Sequence, residues 1–452
     1  MNARICTVAA LMVTASLSFW TATVSAQEEG APTLEQLEQR IRILERQLEI
    51  ADEDAAAKAK TTAVPVADER GFALRSADNS FELKSRLLAQ GDARFLEDST
   101  LPPFNDTFGM RRLRPIIEAS LGKLIGVRLT PEFAGAGATI VDAYLDLKLA
   151  PLYTVRVGKM KSPVGLERLQ SGGSTMFIER AYPTELAPNR DIGLVLQGDY
   201  DGGVFSYTLG IFNGAADGRD AAATDVDDEK EIAGRVFFEP FRNSPGWLQG
   251  LGLGVAGSSG DKVGTNVGQG GVLPQYRTPA QIAFFQYATG VAAAGKHERL
   301  TAHSYWYRYS LGVMGEYIES SQELTAAGGT AELTHSAWQV SAAYVLTGED
   351  QTFRGVIKPK SSFVRGAPGF GAWEVVARVS ELDLDDDAFP VFANPATAAS
   401  RARTYGAGVN WYLTPNARVM LDYLHTEFQG GAAAGADRAD ENVVLGRFQV
   451  TY

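Results

Sequence analysis

Val141-Asp142-Ala143-Tyr144-Leu145-Asp146-Leu147-Lys148-Leu149 is the stretch that decides the fold class. Its odd positions are all apolar, and its even positions are Asp, Tyr, Asp and Lys. A period of two places these sets on opposite faces of an extended strand. The pattern restarts beyond Pro151-Leu152, where Tyr153, Val155 and Val157 alternate with Thr154, Arg156 and Gly158. Upstream, Ile125, Val127 and Leu129 alternate with Gly126, Arg128 and Thr130. Near the end, Tyr405, Ala407, Val409 and Trp411 face away from Thr404, Gly406, Gly408 and Asn410. A half-buried strand produces this alternation in a soluble sandwich and in a membrane barrel alike.

Three features select the membrane. The segments run to about ten residues, the length of a tilted transmembrane strand. Tight turns such as Ser120-Leu121-Gly122 and Leu413-Thr414-Pro415-Asn416 alternate with long polar connections at 213–231 and 258–297, the asymmetry of an outer-membrane barrel. Aromatic residues stand at strand ends, among them Tyr153, Tyr200, Trp338, Trp373, Trp411 and Tyr412, where interfacial girdles lie. The last segment places Val444, Gly446, Phe448, Val450 and Tyr452 on one face, and its terminal aromatic resembles the assembly signal of such barrels. About sixteen strands are expected, starting near Phe81, Phe108, Lys123, Ile140, Tyr153, Ile192, Val204, Glu231, Gly250, Arg299, Ser310, Leu333, Gly371, Arg401, Asn416 and Asn442. The expected fold is therefore all-β, a transmembrane antiparallel β-barrel wide enough for a water-filled lumen.

Composition agrees. The chain has 452 residues, 45% of them hydrophobic, with 47 Gly, one Cys and a formal net charge of −12. That is too apolar for disorder, lacks the cysteines of a disulfide framework, and is too acidic for a nucleic-acid binder. Residues 1–26 read as a secretory signal, with Arg4 before an apolar stretch and Val24-Ser25-Ala26 as the cleavage site. In 27–50, Leu34, Leu37, Ile41, Leu44 and Leu48 form a short heptad seam, either a coiled coil or an amphipathic helix packed on its own chain. Residues 51–70 read as a linker and 71–452 as the barrel. An even strand number puts both barrel ends, and the helix, in the periplasm of a Gram-negative outer membrane.

A charge on the lipid face at mid-bilayer costs about 2–4 kcal/mol, so parity assigns charged strand residues to the lumen. On that rule Arg112, Arg114, Arg128, Arg156, Arg235, Arg308 and Arg378 point inward, together with Glu118, Asp142, Asp146 and Glu374. The arginines either pair with those acids as wall residues or form an anion pathway, since guanidinium groups bind oxyanions by charge-assisted bonds. Residues 108–190 hold 12 Lys and Arg against 7 Asp and Glu. Arg354, Lys358, Lys360 and Arg365 make a second basic run. Acidity is concentrated at 217–231, with 7 acids and 2 bases, and at 381–387, with 5 acids, both expected in loops.

The chain resembles the phosphate-selective porins O and P. The likeness is carried by Met110-Arg111-Arg112-Leu113-Arg114, Gly158-Lys159-Met160-Lys161-Ser162-Pro163, Phe177-Ile178-Glu179-Arg180, Asn189-Arg190-Asp191-Ile192-Gly193 and Gly234-Arg235-Val236. It continues through Leu273-Pro274-Gln275-Tyr276-Arg277-Thr278-Pro279, Ala283-Phe284-Phe285-Gln286-Tyr287 and Gly371-Ala372-Trp373-Glu374. The resemblance implies a homotrimer of sixteen-stranded barrels, an arginine ladder, passive uptake of small inorganic anions such as phosphate, and a periplasmic coiled coil. It also implies a constriction built by the third and fifth long loops. The first would carry Lys159, Lys161, Arg168, Arg180 and Arg190, and the second Arg277. The surroundings would be outer-membrane lipid and lipopolysaccharide.

Other functions find less support. His297, His303, His335 and His425 are dispersed along the sequence without metal-ligand spacing, and no nucleophile motif occurs, so neither an enzyme nor a cofactor is expected. Asp383, Asp385 and Asp387 alternate as in a calcium loop, but Ala388 and Asn394 replace its Gly and terminal Glu, so a solvated loop or a divalent-ion bridge to surface lipopolysaccharide is read there in place of a calcium site. The alternative is a general or cation-leaning diffusion porin without a phosphate site.

Overall fold

The computed structural model describes residues 33–61, 63–97, 106–221, 225, 228–265 and 272–452. The expected signal, 1–26, lies outside them. The chain divides at Thr61 into two compact units. Among the described residues the first holds one helix, α1 (Leu34–Thr61). It runs past the 27–50 expected and through half of the expected linker, because Ala55 to Lys60 holds only Ala and Lys, both strong helix formers, and Pro65 comes only later. Leu34, Leu37, Ile41, Leu44 and Leu48 are all exposed along it.

The second unit opens with a hairpin, β1 (Val64–Asp68) and β2 (Gly71–Arg75), occupying the rest of that linker. The barrel follows with β3 (Phe81–Glu97), β4 (Thr107–Leu121), β5 (Ile125–Glu132), β6 (Thr139–Ala150) and β7 (Tyr153–Lys161). A short helix, α2 (Pro183–Leu186), precedes β8 (Arg190–Tyr200), β9 (Phe205–Phe212), β10 (Glu231–Phe238) and β11 (Leu251–Gly264). The small hairpin β12 (Gln275–Arg277) and β13 (Ala283–Gln286) forms a separate two-stranded sheet. The barrel resumes with β14 (Ala292–Arg308), β15 (Leu311–Ala326), β16 (Gly329–Val345) and β17 (Ala372–Asp383). It ends with β18 (Ala399–Thr414), β19 (Ala417–Gly430) and β20 (Glu441–Thr451).

Each barrel strand pairs antiparallel with the next, and β20 pairs with β3 from Asn442↔Glu97 to Thr451↔Leu88, closing sixteen strands. Tyr452 completes the seam by exchanging backbone bonds of 2.6 and 2.8 Å with Leu87. Every barrel strand starts within two residues of the sequence-based expectation except β14 and β16. Those begin in Ala292-Ala293-Ala294-Gly295 and Gly329-Thr330-Ala331-Glu332, where no amphipathic alternation announces them. The long connection expected at 258–297 shortens accordingly to 265–291.

The outer wall is apolar and exposed: Leu145, Leu209, Ile232, Val255, Leu300, Val340, Leu421 and Phe448 are each 50–64% accessible. A surface of that kind needs lipid as its solvent. Trp373 and Trp411, directly opposed on β17 and β18, stack at 5.2 Å as one element of an aromatic girdle. Two expectations are corrected, one by face parity and one by the extent of β17. Arg308 shares its face with Leu300 and Trp306 and lies over the Tyr309 ring at the strand end, so it is not a lumen residue. Glu381 and Asp383 belong to β17 rather than a loop, and they pair with Arg403 and Arg401 of β18.

Candidate functional site

The connection 162–189, between β7 and β8, enters the barrel instead of lying over it. Its residues are almost all buried, and its backbone is tied to the inner wall formed by β17 to β20 and β3. Gln90 donates to Gly172 O at 2.9 Å, Gln449 to Gly173 O at 3.0 Å, Arg418 to Thr175 O at 3.1 Å and Asn410 to Met176 O at 2.9 Å. Arg447 donates to Ile178 O at 2.7 Å and Arg378 to Glu179 O at 2.9 Å, while Ile178 N donates to Asp422 Oδ2 at 2.7 Å. Inward-pointing polar residues thus satisfy an irregular backbone that would otherwise lose its hydrogen bonds.

Glu179 fixes the same loop through its side chain. Arg111 bonds it with Nε at 2.6 Å and Nη2 at 3.1 Å, and Arg94 and Arg447 reach it at 3.1 and 3.4 Å. Burial alone would raise the Glu179 carboxyl, but Arg111, with Arg447 and Arg112, outweighs it and holds the group well below the usual carboxylate range. Parity alone misses Arg111. The register passes from Gln90↔Arg112 to Gly91↔Met110, so Arg111 is the extra residue of a β-bulge that turns both it and Arg112 inward.

Two further segments narrow the lumen. In 272–291, Tyr276, Phe284, Phe285 and Tyr287 are buried, Thr278 donates to Glu441 at 2.8 Å, and Arg277 N donates to Glu185 at 3.1 Å. The connection 346–371 enters from the end that carries the short turns. Phe353 stacks on Tyr305 at 4.4 Å, and Gln170 of the inward loop donates to Phe353 O at 2.9 Å. This segment holds the second basic run, with Arg354 paired to Glu239 at 3.2 Å and Lys358 paired to Glu69. The sequence showed its charge but not its inward path.

Because the inward loop is fastened to one wall, the space left open lies along the other. A cavity of about 360 Å³ is lined there by Arg114, Arg128, Arg156, Lys161, Arg190 and Arg235, with Asp142 the one acid among its lining residues. Ser171 and Gly172 of the inward loop form its opposite side. Arg114 bonds Glu132 at 2.6 Å, Arg128 bonds Glu118 at 2.9 Å, and Arg190 bonds Asp142 at 3.2 Å. Arg156 bonds Asp146 at 2.7 and 3.0 Å and lies 3.9 Å over the Tyr144 ring. Lys161 Nζ donates to the carbonyls of Arg168, Leu169 and Gln170 at 2.8, 3.1 and 2.8 Å.

The remaining expected site residues lie elsewhere. Arg112 and Arg378 point inward but end behind the loop: Arg112 is buried on Gln90 at 2.6 Å, and Arg378 is buried 4.3 Å over the Phe177 ring. Arg168 and Arg180 are cross-links within the loop, to Thr184 O and to Glu167 O and Gln170 O respectively. Arg277 is half-buried, and Lys159 is not among the residues lining the cavity. Asp383, Asp385 and Asp387 do not converge, since Asp385 accepts from Thr334 N and Asp387 N while Asp383 holds Arg401.

A closed sixteen-stranded barrel with an apolar outer wall, an inward loop and a polar cavity beside that loop is the architecture of an outer-membrane porin. Residues 81–452 match the family of phosphate-selective porins O and P, and the chain belongs to it. Porin O of Pseudomonas aeruginosa is 26% identical over 102 residues, which span only 21% of this chain and 22% of that protein. An uncharacterized protein of Caulobacter vibrioides is 24% identical over 383 residues, 78% of this chain and 70% of the relative. Among solved structures, the outer-membrane channel DcaP of Acinetobacter baumannii superposes with a TM-score of 0.52 at 10% identity, covering 84% of this chain and 99% of that one. The trimer form of OmpT, an outer-membrane protein of Vibrio cholerae, gives 0.51 at 12% identity, covering 82% and 100%.

Proposed function

We propose that this porin is an anion channel whose passage favours small inorganic anions, phosphate among them. The observation that carries the reading is the lining of the passage, where six cationic side chains meet one carboxylate. Arg and Lys facing a confined aqueous path raise the local anion concentration even in a protein of net charge −12, because the local field counts and not the sum. The name of the family adds phosphate to this reading. The trimer form of one structural neighbour supports assembly as a homotrimer, and the exposed leucines of α1 support a coiled coil between copies.

A second reading, a general or cation-leaning diffusion porin, draws on a different observation. Four of the six lining cations are ion-paired to carboxylates, which weakens the positive field. Single channels in planar bilayers under a KCl gradient separate the two. A zero-current potential of anion sign supports the proposal, and one of cation sign replaces it with the second reading.

A further inference from the structure

The six lining cations are not equivalent. Five already have a partner: four are ion-paired to carboxylates, and Lys161 donates to three carbonyls. An anion approaching the four arginines meets the opposing charge of a paired carboxylate, and one approaching Lys161 competes with its carbonyls. Arg235 differs. Among the described residues no carboxylate lies within ion-pair distance of it. Its Nε donates to His303 Nε2 at 3.3 Å, and its guanidinium lies 4.4 Å over the Phe237 ring. These contacts orient the group and leave both Nη atoms without a partner among the described residues.

The strand register places two more free donors beside it. Arg235 on β10 is directly opposite Thr208 on β9, and Thr208 is directly opposite Gln197 on β8. Directly opposed side chains on one face stand about 5 Å apart. All three line the cavity, and neither the Gln197 amide nor the Thr208 hydroxyl has a hydrogen-bond partner among the described residues. Polar side chains on a barrel wall usually pair with neighbours, as Arg156 and Asp146 do on the adjoining strands. Two unpaired neutral donors beside a guanidinium that has free Nη atoms and no ion-paired carboxylate among the described residues are complementary to a tetrahedral oxyanion, whose oxygens accept the two-pronged guanidinium and the neutral donors together.

We infer that the row Gln197–Thr208–Arg235 is the oxyanion-binding station of the channel, while the paired arginines set the field around it. The inference rests on the anion reading above. The test is block of single-channel chloride current by inorganic phosphate at neutral pH, titrated for the wild type and for Arg235→Gln, Arg235→Lys, Gln197→Ala and Thr208→Val. Loss of a charged donor is expected to raise the half-blocking phosphate concentration about tenfold or more in Arg235→Gln. Arg235→Lys, which keeps the charge but not the fork, should fall between, and the two neutral variants should each shift it roughly two- to tenfold. The Gln197 and Thr208 side chains have no hydrogen-bond partners to lose among the described residues, so their variants remain informative even if Arg235→Gln folds poorly.

An anion-sign zero-current potential with unchanged block in every variant overturns the station and leaves the anion channel standing. A wild type without saturable phosphate block overturns the station in the same way. A cation-sign potential overturns both.

Discussion

Glu179→Gln isolates what holds the inward loop. Glutamine keeps the shape and one acceptor but removes the charge from a side chain 4% exposed and contacted by Arg111, Arg94 and Arg447. Arg447 keeps its two 2.7 Å bonds to Asp92, so its loss is small. Arg111 loses its carboxylate partner. Breaking a buried pair from one side costs about 3–5 kcal/mol, and the 30% exposure of Arg111 lets water recover part of that, leaving ~2–3 kcal/mol. At roughly 2.1 cal/mol/K per residue over a barrel of about 370 residues, the unfolding entropy is near 0.8 kcal/mol/K, which converts the loss to a fall in Tm of about 3–4 °C. The seven backbone anchors of the loop remain, so the passage should stay narrow. The uncompensated Arg111 should move the zero-current potential further toward the anion value. Thermal melts by circular dichroism in detergent and bilayer recordings give both readouts. An unchanged Tm together with a shift toward cations would refute the assignment of Glu179 as the charged anchor.

Further outcomes follow from the same contacts. Glu179 is held below its ordinary range, so its stabilisation is complete above the unfolded carboxyl value near 4.3 and is lost as pH falls through the folded value. The Tm gap between wild type and Glu179→Gln should therefore be constant from pH 8 to about 5 and narrow only below about 4. Asp146→Asn should free Arg156 and strengthen anion selectivity, whereas Arg156→Gln should expose Asp146 and weaken it; potentials moving in one direction for both would contradict the pairing. Gly158→Ala should impair barrel assembly, because φ is +125° and an added Cβ would meet Ala143 O at 2.2 Å. The measurement is the heat-modifiable folded fraction on gels, and wild-type yield would count against the strain. If the chain assembles as the proposed trimer, Leu37→Asp with Leu44→Asp should lower the trimer's thermal stability without altering single-channel conductance, and an unmoved melt would speak against the proposed coiled coil.

The barrel was legible because lipid outside and water inside impose a strict alternation, and turns punctuate it. The misses have local causes. Ala292-Ala293-Ala294-Gly295 opens β14 without polar alternation, and the bulge at Arg111 breaks the parity that otherwise assigns faces. Parity correctly turned Arg112 and Arg378 inward, yet it carries no information on which inner wall the loop at 162–189 covers. That choice depends on Gln90, Arg418, Arg447 and Gln449 meeting backbone carbonyls more than 80 residues away in sequence. Arg235 shows the same limit from the other side. Its motif was visible, but that it has no carboxylate partner among the described residues emerges only when the neighbouring strands are in register.

Selectivity that comes from lining charge acts through water and is screened by salt, with a Debye length of about 10 Å at 0.1 M and 3 Å at 1 M. The most direct measurement is the zero-current potential of the wild-type channel under the same KCl ratio, once around 0.1 M and once around 1 M. A passage lined by six cationic side chains predicts an anion-sign potential that is larger at low salt and shrinks at high salt. A cation-sign potential at low salt would contradict it.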